Sequence, residues 1–251
     1  MDGLRSIARR LNRVTAIQTD DVYTCFNQCL ICQQQADEHP MLCQYCFKYL
    51  PLFDYHHLAG DLLNWPEFNR LYRKCHFDHL VSIAPYRFPL NYWLSQFKYH
   101  NRLELRKLLA HLMAITTTNI VNSAPSKVPT PFQSVNLVCS VPIHIEKWQV
   151  RGFNQVLPLA QACAKSLGVD YCDDIIYRVN NSSAQAELNG SARRKNVKNA
   201  FKVGECERIL NRHIMLVDDV VTTGATASEL SRLLKAAGAR KVTLCTLCIS
   251  C

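Results

Sequence analysis

The chain has 251 residues, carries 29 lysines and arginines against 20 aspartates and glutamates, and contains 13 cysteines. Hydrophobic residues make up 48% of the sequence, which predicts a packed core and excludes global disorder. The sequence has neither the run of about 18 apolar residues that a membrane-spanning helix needs nor the apolar stretch of a secretory signal. We therefore expect a cytoplasmic protein without membrane insertion, whose cysteines bind metal or lie in the core rather than form disulfides.

Residues 1–24 form the first predicted region, a basic amphipathic segment. Leu4, Ile7, Leu11 and Val14 recur at helical spacing, and the arginines of this segment occupy the remaining positions of the pattern. Such a helix can bind a nucleic acid or a membrane surface, or it can dock on the rest of the chain or fray. The sequence leaves these alternatives open.

Residues 25–80 form the second predicted region, a zinc module followed by a linker. Two Cys-x-x-Cys pairs supply four thiolates, the number that a closed structural zinc site uses: Cys29, Cys32, Cys43 and Cys46. Cys25 and His39 lie close enough in sequence to replace one of these ligands. A redox pair is disfavoured because no strand–helix–strand pattern surrounds either motif. The cysteine-bearing part spans only about 20 residues and cannot bury a core alone, so the metal would supply its folding energy.

Residues 81–251 form the third predicted region, in which strands alternate with helices. Helices are expected over 91–120, 154–167 and 225–237, and strands over 136–141, 174–179, 213–217 and 241–249. This order predicts an α/β fold with a parallel sheet flanked by helices. The region holds 21 basic and 11 acidic residues, while residues 1–80 hold 8 and 9. The basic excess of the chain therefore lies entirely here, which indicates an anionic partner.

The most specific signal is the segment 214–226, IMLVDDVVTTGAT, in which an apolar strand leads into two acids, a Thr-Thr-Gly turn and a helix. Asp218 and Asp219 can accept hydrogen bonds from a vicinal diol and help to hold Mg²⁺ indirectly. A turn at a helix start offers N–H groups and hydroxyls to a phosphate, and glycine permits close approach. The predicted phosphate-site residues are Val220, Thr222, Thr223, Gly224, Ala225 and Thr226. The alternative is an ordinary buried strand closed by an acidic turn.

All thirteen positions of this segment resemble the phosphoribosyl-pyrophosphate (PRPP) motif of type I phosphoribosyltransferases. Further segments are similar to the ComF/GntX family: 141–144 (VPIH), 151–155 (RGFNQ), Tyr86 with 97–99 (FKY), and 178–201, where Ser182 stands in place of the usual threonine. The resemblance extends over most of the chain. It implies a type I phosphoribosyltransferase fold with a small N-terminal zinc-knuckle module that carries four cysteine ligands.

The resemblance also implies roles for residues outside the motif. In such enzymes the loop after the first core strand contacts pyrophosphate, which here points to Pro142, His144 and Arg151. Arg151 would join Asp218 and Asp219 in the catalytic set, although a solvated arginine and a structural loop histidine are the plain alternatives. The resemblance also points to Lys98 as a contact of the site. The basic residues Arg193, Arg194 and Lys195 could close over phosphates as a lid or contact a polyanion, and a solvated run of charges is the alternative. No residue of the motif is an obvious general base.

In function, the resemblance implies a PRPP-binding, Mg²⁺-dependent phosphoribosyltransferase-like protein of natural competence. It would handle incoming single-stranded DNA in the cytoplasm, beside a helicase-like ATPase partner. Two alternatives stay open at this point. One is a non-catalytic, zinc-containing adaptor that binds single-stranded DNA and is regulated by PRPP. The other is a metabolic phosphoribosyltransferase unrelated to DNA uptake.

Overall fold

The computed structural model describes residues 28–36, 38–55, 58–123, 130–179, 200–204 and 206–250. The predicted segment 1–24, Cys25 and the basic residues Arg193, Arg194 and Lys195 lie outside these ranges. The predictions made for them are therefore not addressed by the fold.

Within the described ranges, seven strands form two sheets: β1 (His79–Pro85), β2 (Val135–Ser140), β3 (Asp170–Tyr171), β4 (Ile176–Arg178), β5 (Phe201–Val203), β6 (His213–Val221) and β7 (Lys241–Ile249). The larger sheet has the order β1-β7-β6-β2-β3, and all its neighbouring strands run parallel. The smaller sheet is the antiparallel pair of β4 and β5. The predicted parallel sheet is thus confirmed, and β1 begins two residues before the expected start of the third region.

The helices among the described residues are α1 (Gln44–Lys48), α2 (Pro66–Tyr72), α3 (Leu90–Tyr99), α4 (Leu105–Ser123), α5 (Ile145–Arg151), α6 (Leu157–Leu167) and α7 (Ala225–Ala236). The single helix expected over 91–120 is wrong, because Asn101 adopts a positive φ of 53° and separates α3 from α4. None of these helices combines the length and apolar character needed to cross a bilayer.

Strand β6 is longer than the sequence indicates. We expected the strand to end at residue 217, but its pairing with β7 continues through Asp218 opposite Thr246 and Val220 opposite Cys248. Acidic residues disfavour strands when they are considered alone, yet a neighbouring strand of matching length supplies the hydrogen bonds that prolong this one. The two acids therefore lie within a strand, with backbone positions held by the sheet.

The sheet separates two apolar clusters, as expected for a parallel sheet covered on both faces. Successive residues of β6 alternate between them: Met215 and Val217 belong to one cluster, and Ile214 and Leu216 belong to the other. The first cluster includes side chains of α3, α4 and α6 together with Cys29, Leu42 and Cys46. The second includes side chains of α2 and α7. The cysteine-rich segment therefore packs on the helices that cover one face of the sheet.

Candidate functional site

The connections of the sheet create a crevice between β2 and β6. The chain passes from β2 outward to β3 on one side, and from β6 outward to β7 on the other side. Such a reversal of direction leaves the crevice at the carboxyl ends of the two strands uncovered, and open α/β sheets bind ligands there. The segments 141–144 and 222–226 follow these two strands and flank the crevice.

Asp219, one of the two motif acids, is held by a side chain of α3 and by one from the turn before α6. The residue is 6% exposed. The Nζ atom of Lys98, near the end of α3, lies 2.9 Å from Asp219 Oδ2, and the Nε2 atom of Gln155 donates to the same oxygen at 2.7 Å. A buried carboxylate requires such a cation and hydrogen-bond donor. Lys98, which only the family resemblance suggested, thus lies at the predicted diol site.

Gln155 has a second feature that points to a ligand. The residue is 7% exposed, and its Oε1 atom is buried and has no hydrogen-bond partner among the described residues. A buried, unpartnered amide oxygen costs about 1–3 kcal/mol, so proteins rarely leave one unless another molecule supplies the donor. The helix expected from residue 154 begins only at Leu157. Gln155 therefore lies in the turn before α6, from which its side chain reaches Asp219.

Asp218, the other motif acid, has a raised pKa. Burial of its carboxyl group, followed in size by the charge of Asp219, raises the pKa of Asp218 to about 7. Its Oδ1 atom accepts a hydrogen bond from the backbone N–H of Asp219 at 2.8 Å. The protonation of the Asp218 carboxyl group should therefore respond to a charged ligand that binds nearby.

The predicted phosphate loop follows directly on β6. Thr222 and Thr223 are exposed, whereas Gly224 is buried with a φ of 70°. A Cβ atom at Gly224 would lie 3.0 Å from Tyr72 Cδ1 and 3.1 Å from Cys75 Sγ. Two features therefore favour glycine at this position. The backbone has a positive φ, and Tyr72 and Cys75 leave little room for a side chain. Ala225 and Thr226 are half-buried in the first turn of α7, and Val220 is half-buried near the end of β6.

The last residue of α2 and the segment after it contact this loop and the helix that follows it. Tyr72 Oη donates to the carbonyl oxygen of Thr222 at 2.6 Å, and His76 Nδ1 lies 2.9 Å from Ser228 Oγ in α7. Sequence reasoning missed these residues because about 150 positions separate the partners. No local motif signals such a pair, since only the fold brings its members together.

The segment predicted to contact pyrophosphate contains a helix rather than only a loop. Pro142 and His144 lie between β2 and α5, and His144 Nδ1 accepts from the N–H of Glu146 at 3.3 Å, which caps α5. Burial, with a smaller contribution from Arg178, lowers the pKa of His144, and this direction favours the neutral ring whose nitrogen can accept the hydrogen bond. Arg151 ends α5 and places its guanidinium over the Tyr99 ring, 4.8 Å from the ring centre. Since Tyr99 follows Lys98, Arg151 lies beside the helix end that reaches Asp219.

The four cysteines of the two Cys-x-x-Cys pairs converge as predicted. Their Sγ atoms all lie within 4.8 Å of one another, and the Sγ atoms of Cys32 and Cys43 are 3.6 Å apart. Four thiolates around a tetrahedral zinc ion would be about 3.8 Å apart. The backbone N–H of Cys46 also points at Cys43 Sγ at 3.5 Å. The set Cys29, Cys32, Cys43 and Cys46 therefore fits a tetrahedral metal ion.

His39, the alternative ligand, has another role. Its ring stacks on Phe47 with ring centres 3.6 Å apart, and its Nδ1 atom lies 3.0 Å from Nε2 of His111 in α4. His39 is not part of the cysteine group. Through these contacts, His39 connects the cysteine-rich segment to α4, one of the helices that cover the sheet.

Comparison with known proteins agrees with this architecture. The sequence pattern of the phosphoribosyl transferase domain matches residues 155–249. Competence protein F of Haemophilus influenzae is 30% identical over 205 residues, which are 80% of this chain and 87% of that protein. DNA utilization protein YhgH of Escherichia coli O157:H7 is 30% identical over 220 residues, 88% of this chain and 89% of that protein. The predicted family and the type I phosphoribosyltransferase fold are both confirmed.

Among solved structures, the chain is similar to the glutamine PRPP amidotransferase from Bacillus subtilis. The TM-score is 0.38 at 15% identity, over 61% of this chain and 30% of that one. The two curated relatives, by contrast, align with this chain along most of their length. This chain belongs to the ComF family of competence and DNA utilization proteins with a phosphoribosyl transferase domain.

Proposed function

We propose that the protein binds PRPP at the carboxyl end of β6 and that it is a phosphoribosyltransferase-like protein that handles transforming DNA in the cytoplasm. One observation carries the proposal: two adjacent acids at the end of a central strand lead into a Thr-Thr-Gly turn and the start of α7 at the crevice. The carboxylates can accept hydrogen bonds from the ribose hydroxyls, and the N–H groups of the turn can donate to the 5′-phosphate.

Each residue near the acids has a defined part in this proposal. Asp218 and Asp219 accept hydrogen bonds from the ribose hydroxyls, and the loop 222–226 binds the phosphate. Lys98 and Gln155 orient Asp219 through the contacts at 2.9 and 2.7 Å. The unpartnered Oε1 atom of Gln155 can accept a hydrogen bond from a ribose hydroxyl that donates toward it.

The reaction would replace pyrophosphate at the anomeric carbon. A bond forms between the acceptor atom and that carbon while the bond to the pyrophosphate oxygen breaks, and the electron pair leaves with pyrophosphate. Arg151 is proposed to bind the leaving pyrophosphate, because a guanidinium can bind two phosphate oxygens at once. Positioning and electrostatic stabilisation would supply most of the rate acceleration. The acceptor and the group that takes its proton are unassigned.

Magnesium fits the oxygen donors of this site. Asp218 and Asp219 are the residues that would help to hold it, since Mg²⁺ prefers carboxylate and phosphate oxygens. When bound with PRPP, the ion would neutralise charge on the leaving pyrophosphate. For the cysteine group, we propose a structural zinc ion, because four thiolates leave no open position for a substrate.

A role in DNA handling is supported by the relatives, whose names refer to competence and DNA utilization. The single-stranded form of that DNA and the helicase-like partner come from the family resemblance alone. A non-catalytic adaptor regulated by PRPP is a second candidate, and one observation favours it. His144, the histidine in the segment after β2, uses its Nδ1 atom to cap α5. It is thus already engaged as a structural group rather than presented as a general base.

The test is calorimetry of the protein with PRPP and Mg²⁺, followed by a screen for pyrophosphate release with nucleobases and single-stranded DNA as acceptors. We expect saturable PRPP binding that requires Mg²⁺. Pyrophosphate release with one acceptor class would establish transfer, and binding without release would favour the adaptor. Absence of PRPP binding would refute the proposal.

The support of the phosphate loop by α2 leads to a prediction. Tyr72→Phe removes the hydrogen bond to the Thr222 carbonyl, so the unfolding free energy should fall by about 1 kcal/mol and PRPP affinity should fall with it. Tyr55→Phe is the matched control, because Tyr55 Oη donates to the Ser82 carbonyl in β1, away from the loop. Denaturant unfolding and calorimetry measure both quantities. Equal losses of PRPP affinity in the two variants would contradict the specific support of the loop.

A further inference from the structure

Arg178 is a half-buried cation that has no part in the proposed function. It ends strand β4, and the central carbon of its guanidinium lies 5.0 Å from the centre of the Phe201 ring. Phe201 begins β5, lies opposite Arg178 across the strand pair and is 3% exposed. Contact with the ring gives the cation a favourable electrostatic interaction, but the N–H groups of the guanidinium still need acceptors.

The Arg178 guanidinium lacks an acceptor among the residues that the structure describes. Within those residues it forms neither an ion pair nor a hydrogen bond. Burial lowers the pKa of Arg178, and the charge of Glu146 opposes this shift. The Glu146 side chain is 80% exposed, and its carboxylate lies 3.6 Å from His144 Nδ1. A half-buried cation without an acceptor is unfavourable, and an anion that binds beside it would relieve this cost.

The smaller sheet, formed by β4 and β5, packs on the side of the larger sheet opposite to α3. Ile176 and Phe201 belong to the apolar cluster that also holds side chains of α7 and Val141, the residue directly after β2. The buried side chains of α3 belong to the other cluster. Strand β5 also contacts α7, the helix that follows the proposed phosphate loop. Arg178 therefore lies on the α7 side of the larger sheet.

Helix α5 connects the α7 side of the crevice with the α3 side. It begins directly after His144, whose pKa is lowered by burial and, to a smaller extent, by the charge of Arg178. It ends at Arg151, whose guanidinium lies over the ring of Tyr99 in α3. The seven residues of this helix span about 10 Å. Arg151 and Arg178 therefore lie near opposite ends of α5, on opposite sides of the crevice.

From these observations, we propose that Arg178 binds an anionic group of the acceptor, a carboxylate or a phosphate, and so selects the class of molecule that receives the phosphoribosyl group. This inference deepens the proposed function and rests on it. Arg151 is assigned there to the leaving pyrophosphate, and in a single displacement the acceptor enters on the opposite face of the anomeric carbon. Arg178 lies on that opposite side.

The chemistry of the guanidinium fits this role. A guanidinium can donate to two oxygens of one carboxylate or phosphate, which fixes the orientation of the anion as well as its position. Arg178 would form no covalent bond and transfer no proton. Its contribution would be to place the acceptor atom against the anomeric carbon, and an acceptor without the anionic group would lose this contact.

Calorimetry with two matched pairs of probes tests the inference. Orotate differs from uracil by one carboxylate, and thymidine 5′-monophosphate differs from thymidine by one phosphate. The parent protein should bind the anionic member of one pair about tenfold or more tightly than the neutral member, and the pair that responds identifies the anion. Arg178→Gln should remove this preference without changing the affinity for the neutral member. Arg178→Lys should retain part of it, because it keeps the charge but not the planar geometry.

The matched control is Arg240→Gln, which makes the same change at an exposed position just before β7, at the amino end of the sheet. This variant should keep the full preference for the anionic probe. Circular dichroism and thermal unfolding verify that each variant is folded.

Three results would overturn the inference. The first is a parent protein that binds neither anionic probe more tightly than its neutral partner. The second is an Arg178→Gln variant that keeps the preference. The third is a variant that keeps the preference but loses affinity for inorganic pyrophosphate, which would assign Arg178 to the leaving group. Calorimetry of the parent with PRPP separates the two proposals: normal PRPP binding with any of these results refutes this inference alone, whereas absent PRPP binding refutes the proposed function.

Discussion

Replacement of both Asp218 and Asp219 by asparagine is expected to weaken PRPP binding by about a hundredfold or more while the fold persists. Hydrogen bonds to a charged acceptor contribute about 1.5–3 kcal/mol each, and the double variant removes both charged acceptors of the proposed diol site. Asparagine keeps the shape of the side chain and leaves an oxygen for Lys98. Calorimetry in the presence of Mg²⁺ measures the loss.

The control for this prediction is Asp170→Asn, which changes the same group at an exposed position in β3. Its PRPP affinity should equal that of the parent. Thermal unfolding separates a local effect from a global one, because the double variant should retain a single cooperative transition. Unchanged PRPP affinity of the double variant would remove the acids from the ribose site and leave them a structural role.

Loss of the cysteine-bound metal is the second large effect that we expect. Cys29→Ser should abolish zinc binding, which the parent protein should show at about one ion per chain. Structural zinc sites contribute about 10–16 kcal/mol in isolated zinc fingers, and the segment has little core of its own. Because Cys29 and Cys46 share an apolar cluster with α4, we expect the unfolding free energy to fall by at least about 3 kcal/mol. At this chain length the midpoint temperature would fall by about 6–12 °C.

Mass spectrometry measures the metal content, and thermal unfolding measures the loss of stability. Both measurements are repeated with a chelator. Cys75→Ser is the matched control, since Cys75 is a half-buried thiol outside the metal group. It should retain the metal. A folded parent protein with no bound metal, or a Cys29→Ser variant with full zinc content, would contradict the zinc proposal.

Local sequence patterns were sufficient to predict much of the structure. The alternation of strands and helices predicted the parallel sheet, and the spacing of the Cys-x-x-Cys pairs predicted a group whose Sγ atoms do converge. The motif 214–226 placed a strand, a turn and the first turn of α7 in the right order. These features are predictable because their residues are neighbours in the chain, so that periodicity and spacing record their geometry.

Local patterns failed at three places. Strand β6 extends past its expected end because the distant strand β7 pairs with it. The other two features are local: the backbone turns at Asn101 between α3 and α4, and the short helix α5 in the predicted loop buries no residue. The hydrophobic periodicity marks neither of them, because one depends on a single backbone angle and the other has no buried face.

What the sequence alone determined is the identity of the candidate chemical groups: two acids, a phosphate turn and four thiolates. What only the tertiary structure decided is how they are held. Lys98 and Gln155 meet at Asp219, and Tyr72 bonds Thr222, across separations of roughly 60 to 150 residues. Contacts of this kind leave no periodic trace in a sequence. They depend on the order of strands in the sheet, which brings the carboxyl ends of β2 and β6 together.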